Sequence, residues 1–168
     1  MQMDVYFDYG CPYCLQAFAY LNELVQKYKQ IDINFIPVEA HPRPEQHGLH
    51  TDLCAQAMYV AQDMGFDIWE FHALMYKAAI NDDINIESAG VLSEALGKHM
   101  DKKKVFEALQ NGVYEAQVEA NNRRAYDLNG VWAVPAFRLN GEKLDAKEGI
   151  GISFQELNDF MNQAEKNK

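Results

Sequence analysis

The chain has 168 residues, of which 48% are hydrophobic and 24% are charged, a composition typical of a folded domain rather than a disordered chain. Fifteen lysines and arginines stand against 25 aspartates and glutamates, so the formal net charge is −10. This balance argues against nucleic acid and anionic membranes as partners, because both require a basic surface. Three cysteines are too few, and odd in number, for the disulfide framework of a small secreted protein.

No apolar run approaches the roughly 20 residues that a helix needs to span a bilayer. The amino-terminal segment also lacks the pattern of a signal peptide, since Asp4 and Asp8 interrupt its apolar stretch and the first basic residue is Lys27. We therefore expect a cytoplasmic protein that does not enter a membrane.

The first 40 residues predict a strand, a helix and a second strand. Residues 3–8 are rich in β-branched and aromatic side chains, which favours a buried strand. Apolar residues then recur at helical spacing after Pro12, a residue suited to the first turn of a helix. Apolar and polar residues alternate from Ile31 to Phe35 and indicate the second strand. This order predicts a parallel βαβ unit with a right-handed crossover.

A loop and a long helical region follow. The segment 39–50 contains two prolines and a glycine and predicts a loop. Apolar residues then recur at helical spacing over about 80 residues. Asp67, three positions before Glu70, predicts a helix N-cap, and Gly130 is placed to end the last helix. The apolar stripe of that last helix is predicted to contain Tyr114, Val118, Ala125 and Leu128.

The carboxyl-terminal part predicts a hairpin and a helix. Asn140 and Gly141 separate two short strands and tolerate the positive φ angles of a tight turn. Ser153 and Glu156 form a capping box that opens a terminal helix. We therefore predict an α/β, thioredoxin-like fold (βαβ…ββα) with a large all-helical insertion. Residues 1–40 and 130–168 would form the thioredoxin-like domain, and residues 50–129 the inserted helical domain.

The chemistry-bearing motif is the pair Cys11 and Cys14, which follows the first strand and begins the first helix. Unsatisfied N–H groups and the helix dipole stabilise a thiolate at a helix N-terminus, and the thiolate is the nucleophile. Cys11 is therefore predicted to attack, and Cys14, one turn further and facing inward, to resolve the mixed disulfide.

Two other interpretations of the pair remain open: purely structural cysteines and a zinc site. Cys54 and the histidines His41, His47 and His50 could complete a zinc site, but His41 and Cys54 flank a proline-rich loop and show no ligand spacing. We expect neither a metal nor a cofactor at the pair.

Three features of the sequence are distinctive: the long helical insertion, the segment Phe7-Asp8-Tyr9-Gly10-Cys11-Pro12-Tyr13-Cys14, and the segment Gly130-Val131-Trp132-Ala133-Val134-Pro135-Ala136-Phe137. Together they resemble the DsbA family of thioredoxin-fold oxidoreductases, and most of all its FrnE-like cytoplasmic branch. The resemblance covers nearly the whole chain. It implies a cis peptide bond between Val134 and Pro135, packed against the cysteines, which leaves the backbone of Val134 free to pair with a substrate.

The resemblance implies catalytic roles for Cys11, Cys14 and Pro135 in thiol–disulfide exchange. The residues expected to bind substrate are Pro12, Tyr13, Trp132 and Val134. Expected partners are protein thiols and disulfides or glutathione, whereas the oligomeric state is left open. The alternatives are a glutathione-dependent isomerase or transferase of the same fold, which usually keeps a single serine or cysteine, and a non-catalytic client-binding module.

Two positions depart from the pattern of this branch. Residues 144–149 replace a small Gly-Ala turn, which leaves the edge of the site and the choice of substrate open. The dipeptide between the cysteines is Pro-Tyr, as in glutaredoxins, and would place the reduction potential at roughly −200 to −230 mV if the dipeptide sets it.

Several further residues are weaker candidates. Asp4, Asp8 or Glu39 could exchange a proton with Cys14. An apolar surface for an unfolded client could include Tyr9, Tyr13, Trp69 and Trp132, but we expect Trp69 to belong to the core. Spacing places Cys54 on the polar side of its helix, where it would have no role. The basic residues Lys98 and Lys102 to Lys104 are interpreted as a solvated helix junction.

Overall fold

A buried apolar strand at the amino end occupies the centre of the sheet. The computed structural model describes residues 1–167, and its four strands are β1 (Gln2–Phe7), β2 (Asp32–Pro37), β3 (Ala136–Leu139) and β4 (Glu142–Asp145). The strand order is β2-β1-β3-β4. β1 pairs in parallel with β2 and antiparallel with β3, and β3 pairs antiparallel with β4. The predicted parallel βαβ unit and the carboxyl-terminal hairpin are therefore both confirmed.

The helices follow the predicted order. Their bounds are α1 (Pro12–Lys27), α2 (Asp52–Asp63), α3 (Ile68–Tyr76), α4 (Ala89–Leu96), α5 (Lys102–Gln110), α6 (Glu115–Asn122) and α7 (Phe154–Lys166). The predicted cap at Asp67 is present, since its side chain accepts a hydrogen bond from the backbone N–H of Glu70. The capping box of Ser153 and Glu156 opens α7 as predicted.

The last helix of the insertion departs from the prediction. This helix is α-helical only as far as the end of α6. The chain then continues as a π-helical segment, Arg123–Leu128. A π-helical turn contains more residues than an α-helical turn, so the apolar stripe inferred from α-helical spacing does not continue through it. Leu128, predicted to belong to that stripe, is 77% exposed. A second π-helical segment, Lys77–Asn81, extends α3.

Separate apolar clusters cover the two faces of the sheet. On one face, α1 and α7 pack on β1 and β3 through residues that include Leu21, Phe137, Leu157 and Met161. On the other face, Tyr6 and Ile36 belong to a smaller cluster that also contains Ala125 of the π-helical segment Arg123–Leu128.

A third apolar cluster joins the end of β1 and the start of α1 to the inserted helices. It contains Phe7, Tyr9 and Cys14 together with Phe71 of α3 and further residues of α2 to α5. Cys54 belongs to this cluster and is fully buried, so its predicted place on a polar helix face is wrong. Spacing within α2 could not show this, because neighbouring helices cover several sides of α2 at once.

Strand register positions the cysteine motif beside Pro135. The chain leaves β1 after Phe7 and enters α1 at Pro12, so the motif lies at the carboxyl end of the central strand. Tyr6 is opposite Ala136 in the antiparallel ladder between β1 and β3. Val134 and Pro135, which precede β3, therefore lie next to the chain that connects β1 to α1.

Candidate active site

Cys11 is the N-cap residue of α1. Its backbone is extended (φ −96°, ψ 116°) and its N–H donates to the carbonyl oxygen of Asp8 at 3.1 Å. Pro12 occupies the first helical position, where its missing N–H removes no intrahelical bond. The local sequence therefore starts the helix at the motif and places the Cys11 sulfur at its N-terminus.

The two cysteines differ in exposure. Cys11 is half-buried, whereas Cys14 is buried, with only 1% of its surface exposed. The backbone N–H of Cys14 donates to the carbonyl oxygen of Cys11 at 3.1 Å, and the N–H of Asp8 donates to Cys14 Sγ at 3.5 Å. An incoming disulfide can therefore reach Cys11 directly, but it can reach Cys14 only through Cys11.

The acidities of the two thiols also differ. A hydrogen bond from the Cys14 thiol, helped by the backbone N–H groups of Cys14 and Tyr13, lowers the pKa of Cys11 to about 7 against the opposing effect of burial. Burial raises the pKa of Cys14 well above its ordinary value, and its interaction with Cys11 raises it further. Near neutral pH, Cys11 is thus a thiolate in a large fraction of molecules and Cys14 is a thiol.

This difference predicts the pH dependence of alkylation in the reduced protein. The rate at Cys11 should level off above about pH 7 and fall tenfold per pH unit below it, because only the thiolate reacts. Cys14→Ala removes the hydrogen bond that contributes most to the low pKa, so the midpoint should move upward. Alkylation by iodoacetamide, measured by mass spectrometry, gives both midpoints.

Cys14→Ser is the matched control for this experiment, since its hydroxyl can still donate to the Cys11 sulfur. Its midpoint should lie closer to that of the wild type than the midpoint of Cys14→Ala. Equal midpoints in wild type and Cys14→Ala would show that Cys14 does not set the acidity of Cys11.

The backbone before β3 forms the opposite side of the site. The peptide bond between Val134 and Pro135 is cis. Cys11 Sγ lies 3.8 Å from the carbonyl oxygen of Val134. The structure thus brings Cys11, Cys14 and Val134 together, as the sequence predicts, while their roles in catalysis stay predictions.

A pocket of about 390 Å³ opens beside Cys11 and is called the Cys11 pocket below. It is lined by Cys11, Tyr13, Ala40, His41, Tyr126, Trp132, Ala133, Val134 and residues 147–149. Three predicted substrate-binding residues, Tyr13, Trp132 and Val134, are among them, and Trp132 is 83% exposed. The fourth, Pro12, lines a second pocket of about 310 Å³ that Leu49 and Thr51 also border. Cys11 contributes to both.

Sequence reasoning missed part of the wall of the Cys11 pocket. Residues 147–149 were noticed only as a departure from the family pattern, and Tyr126 was not considered at all. That departure was the available signal for residues 147–149, because substitutions at the edge of a site change the residues that line it. No comparable signal marked Tyr126, which reaches the pocket through the π-helical segment.

Asp8 is the candidate acid whose backbone contacts the cysteines, through its N–H to Cys14 Sγ and its carbonyl oxygen to the Cys11 N–H. Its buried carboxylate accepts hydrogen bonds from the backbone N–H groups of Gly10 at 2.8 Å and Ala40 at 2.7 Å. Burial raises its pKa against the effect of these bonds. Asp8 thus holds the turn before Cys11 against the chain that follows β2.

The other two candidate acids have partners of their own. Asp4 accepts a hydrogen bond from Asn34 at 2.8 Å and forms an ion pair with Arg124 at 2.6 Å. Glu39 accepts a hydrogen bond from Asn122 at 2.8 Å, and burial raises its pKa. Neither carboxylate is hydrogen-bonded to a cysteine within the described chain.

The proposed apolar client surface is only partly present. Tyr9 is buried in the third cluster, where its hydroxyl lies 2.8 Å from Nδ1 of His72, so it is unavailable to a client. Trp69 packs on the same cluster beside Phe18. Tyr13 and Trp132, by contrast, line the Cys11 pocket. Burial lowers the pKa of His72 to about 3, so its ring is neutral at physiological pH.

The zinc hypothesis gains no geometric support within residues 1–167. His50 Nδ1 lies 3.1 Å from the carbonyl oxygen of His41, while Cys54 is buried in the third cluster. No group of three or more histidine, cysteine, aspartate or glutamate side chains in this part of the chain is arranged to hold a metal ion. Nor does any helix there have the length and apolar character needed to cross a membrane.

Several solved structures resemble the chain over nearly its whole length. DsbA from Pseudomonas aeruginosa is 21% identical with a TM-score of 0.69, and the match covers 99% of this chain and 83% of that one. A putative protein disulfide isomerase from Nitrosomonas europaea is 11% identical with a TM-score of 0.76, covering 99% and 98%. The cytosolic disulfide reductase DsbM from P. aeruginosa, solved alone and with glutathione, is 14% identical in the first form, with a TM-score of 0.73 and full coverage of both chains.

These likenesses confirm the predicted thioredoxin-like fold with its helical insertion. Among proteins with curated descriptions, none matches the sequence significantly. The model of the DSBA-like thioredoxin domain matches residues 2–157, a span that includes both cysteines of the motif and Pro135. The chain therefore belongs to the DSBA-like thioredoxin domain family.

Proposed function

We propose that the chain is a cytoplasmic thiol–disulfide oxidoreductase that uses Cys11 and Cys14 to exchange disulfides with glutathione or protein thiols. The observation that carries the proposal is the asymmetry of the pair: an accessible thiol with a lowered pKa next to a buried thiol with a raised pKa. Disulfide exchange requires this asymmetry, because a reactive thiolate must attack the substrate and a protected thiol must resolve the mixed disulfide.

The reaction follows from this asymmetry. The Cys11 thiolate attacks one sulfur of a substrate disulfide, a bond forms between them, and the other substrate sulfur leaves as a thiolate that takes a proton from water. Cys14 then gives its proton to water and attacks the Cys11 sulfur, which releases the second substrate thiolate. The substrate disulfide gains two electrons, and the protein ends with a disulfide between Cys11 and Cys14. The reverse sequence oxidises a substrate dithiol.

Val134 and the Cys11 pocket support the binding part of the proposal. The Val134 carbonyl near Cys11 Sγ offers an acceptor to the backbone of a peptide substrate. The pocket, at about 390 Å³, falls in the usual range for small-molecule sites and suits a tripeptide such as glutathione. DsbM, which shares this fold at 14% identity, was solved with glutathione and is a cytosolic disulfide reductase. We propose the same compartment and the FrnE-like branch for this chain.

Titration in glutathione redox buffers tests the proposal. The reduced protein should convert reversibly to a form with a disulfide between Cys11 and Cys14, which alkylation and mass spectrometry detect. The midpoint measures the reduction potential and thereby decides whether the pair reduces glutathione disulfide or oxidises glutathione at the cytosolic poise. Cys54→Ser should show the same midpoint, since Cys54 is buried. A pair that never forms a disulfide at any poise would refute the function.

A further inference from the structure

The loop 147–151, between β4 and α7, forms one wall of the Cys11 pocket. Its ends are joined by two backbone hydrogen bonds, from Lys147 N–H to the Gly151 carbonyl at 3.1 Å and from Gly151 N–H to the Lys147 carbonyl at 2.8 Å. Lys147, Glu148 and Gly149 line the pocket directly. The position of this loop therefore sets the width of the pocket.

Tyr13, the residue between Pro12 and Cys14, fastens the loop to the cysteine motif. Its hydroxyl donates to the carbonyl oxygen of Gly149 at 2.8 Å. Its ring packs against Gly151, where an added Cβ would lie 2.7 Å from the ring carbon Cδ1. The approach of the loop to the ring therefore depends on the missing side chain of Gly151. Gly149 and Gly151 both have positive φ angles, of 71° and 79°, which favour glycine at these positions.

Tyr13 therefore connects the cysteine motif to the far wall of the pocket. Its backbone lies in the first turn of α1, rigidly connected to both cysteines, while its hydroxyl lies at the far wall of the pocket. A hydrogen bond that fixes the loop before binding reduces the conformational entropy that the loop loses when a ligand binds. Only a substrate large enough to contact that wall binds more tightly because the loop is already ordered.

We propose that Tyr13 is a specificity-determining positioning residue: its bond to Gly149 holds the loop 147–151 in place for the part of a glutathione disulfide that does not react. This inference rests on the proposed function. It assigns the aromatic residue between the cysteines a task in substrate selection, carried out through the loop.

Tyr13→Phe tests the inference, since it removes only the hydroxyl. The reduced protein is oxidised in single turnovers by glutathione disulfide or by 2-hydroxyethyl disulfide, which is too small to reach the loop. For glutathione disulfide, the half-saturating concentration should rise about five- to tenfold, as expected for the loss of one hydrogen bond, while the maximum rate changes less than about twofold. For 2-hydroxyethyl disulfide, the rate should change less than about twofold.

Two further readouts separate positioning from a general structural effect. Hydrogen exchange at the amides of Ile150 and Gly151 should accelerate in Tyr13→Phe, since both donate within the loop. The pKa of Cys11, followed by thiolate absorbance, should not move. Tyr28→Phe is the matched control: it removes a hydroxyl bonded to Asn158 of α7, away from the site, and should leave both disulfide reactions as in wild type.

The outcomes distinguish this inference from the function on which it rests. A wild-type protein that neither disulfide oxidises would refute both. If wild type reacts with both disulfides but Tyr13→Phe matches it, or slows both reactions equally, or shifts the pKa of Cys11, the role of Tyr13 is refuted and the function stands. A selective loss with glutathione disulfide, together with faster exchange in the loop, supports the inference.

Discussion

Replacing Cys11 with serine should abolish disulfide exchange, lowering the rate by roughly a thousandfold or more. A serine hydroxyl is barely ionised at neutral pH and cannot form the mixed disulfide, whereas the Cys11 thiolate is present at a pKa of about 7. Single-turnover reaction with glutathione disulfide, analysed by alkylation and mass spectrometry, measures the loss. The buried Cys14 should not substitute for Cys11, since a disulfide cannot reach it.

Cys14→Ser is the informative partner of this variant. It keeps the attacking thiol but lacks the resolving thiol, so covalent adducts between Cys11 and the substrate should accumulate. Cys54→Ser should exchange like the wild type. Undiminished turnover of a small electrophile by Cys14→Ser would instead favour the glutathione-dependent isomerase or transferase. Client binding undiminished when Cys11 and Cys14 are both serine would favour a binding module.

The fold was predictable from the sequence because its signals are local and agree with one another. The apolar strand before Cys11, the proline at the first helical position and the Asn140–Gly141 turn each act within a few residues. The antiparallel pairing of Tyr6 with Ala136 is not local. It was not predicted: the order of the elements, βαβ and then ββα, indicated a thioredoxin-like sheet but not this residue pairing.

The parts that were missed depend on contacts distant in sequence. Cys54 lies at a position that spacing marks as polar, yet several helices enclose it. The residues next to Tyr9 in sequence do not show whether its ring is buried. It is buried by contacts with the inserted helices, among them the contact with His72, 63 residues away. The bond from Tyr13 to Gly149 spans 136 residues and joins a helix start to a loop that has no regular pattern.

The burial of Tyr9 and Cys14 against the inserted helices bears on how the chain unfolds. Residues 1–40 and 130–168 were predicted to form one domain and residues 50–129 another, a division that stays a prediction. The third apolar cluster contains side chains from both parts, including Phe7 and Cys14 on one side and Cys54 and Phe71 on the other. Domains that share a cluster of this kind should unfold together.

Phe71→Ala should therefore destabilise both parts at once. Phe71 is fully buried on α3, and its ring lies 5.9 Å from that of Tyr9 in an edge-to-face arrangement. Removing a buried phenylalanine ring leaves a cavity and lowers the free energy of unfolding by about 3–5 kcal/mol. The same change at Phe106 of α5, which is 40% exposed, should cost about 1 kcal/mol or less.

Pulse alkylation of the reduced protein across a urea gradient measures this directly, because each part contains one buried thiol of the shared cluster. Cys14 reports on α1 and Cys54 on α2. Both should become reactive at one midpoint in the wild type and at one lower midpoint in Phe71→Ala. If Cys54 became reactive at lower urea than Cys14, the inserted helices would unfold independently, and the contacts of Phe71 with the rest of the cluster would not couple the two parts.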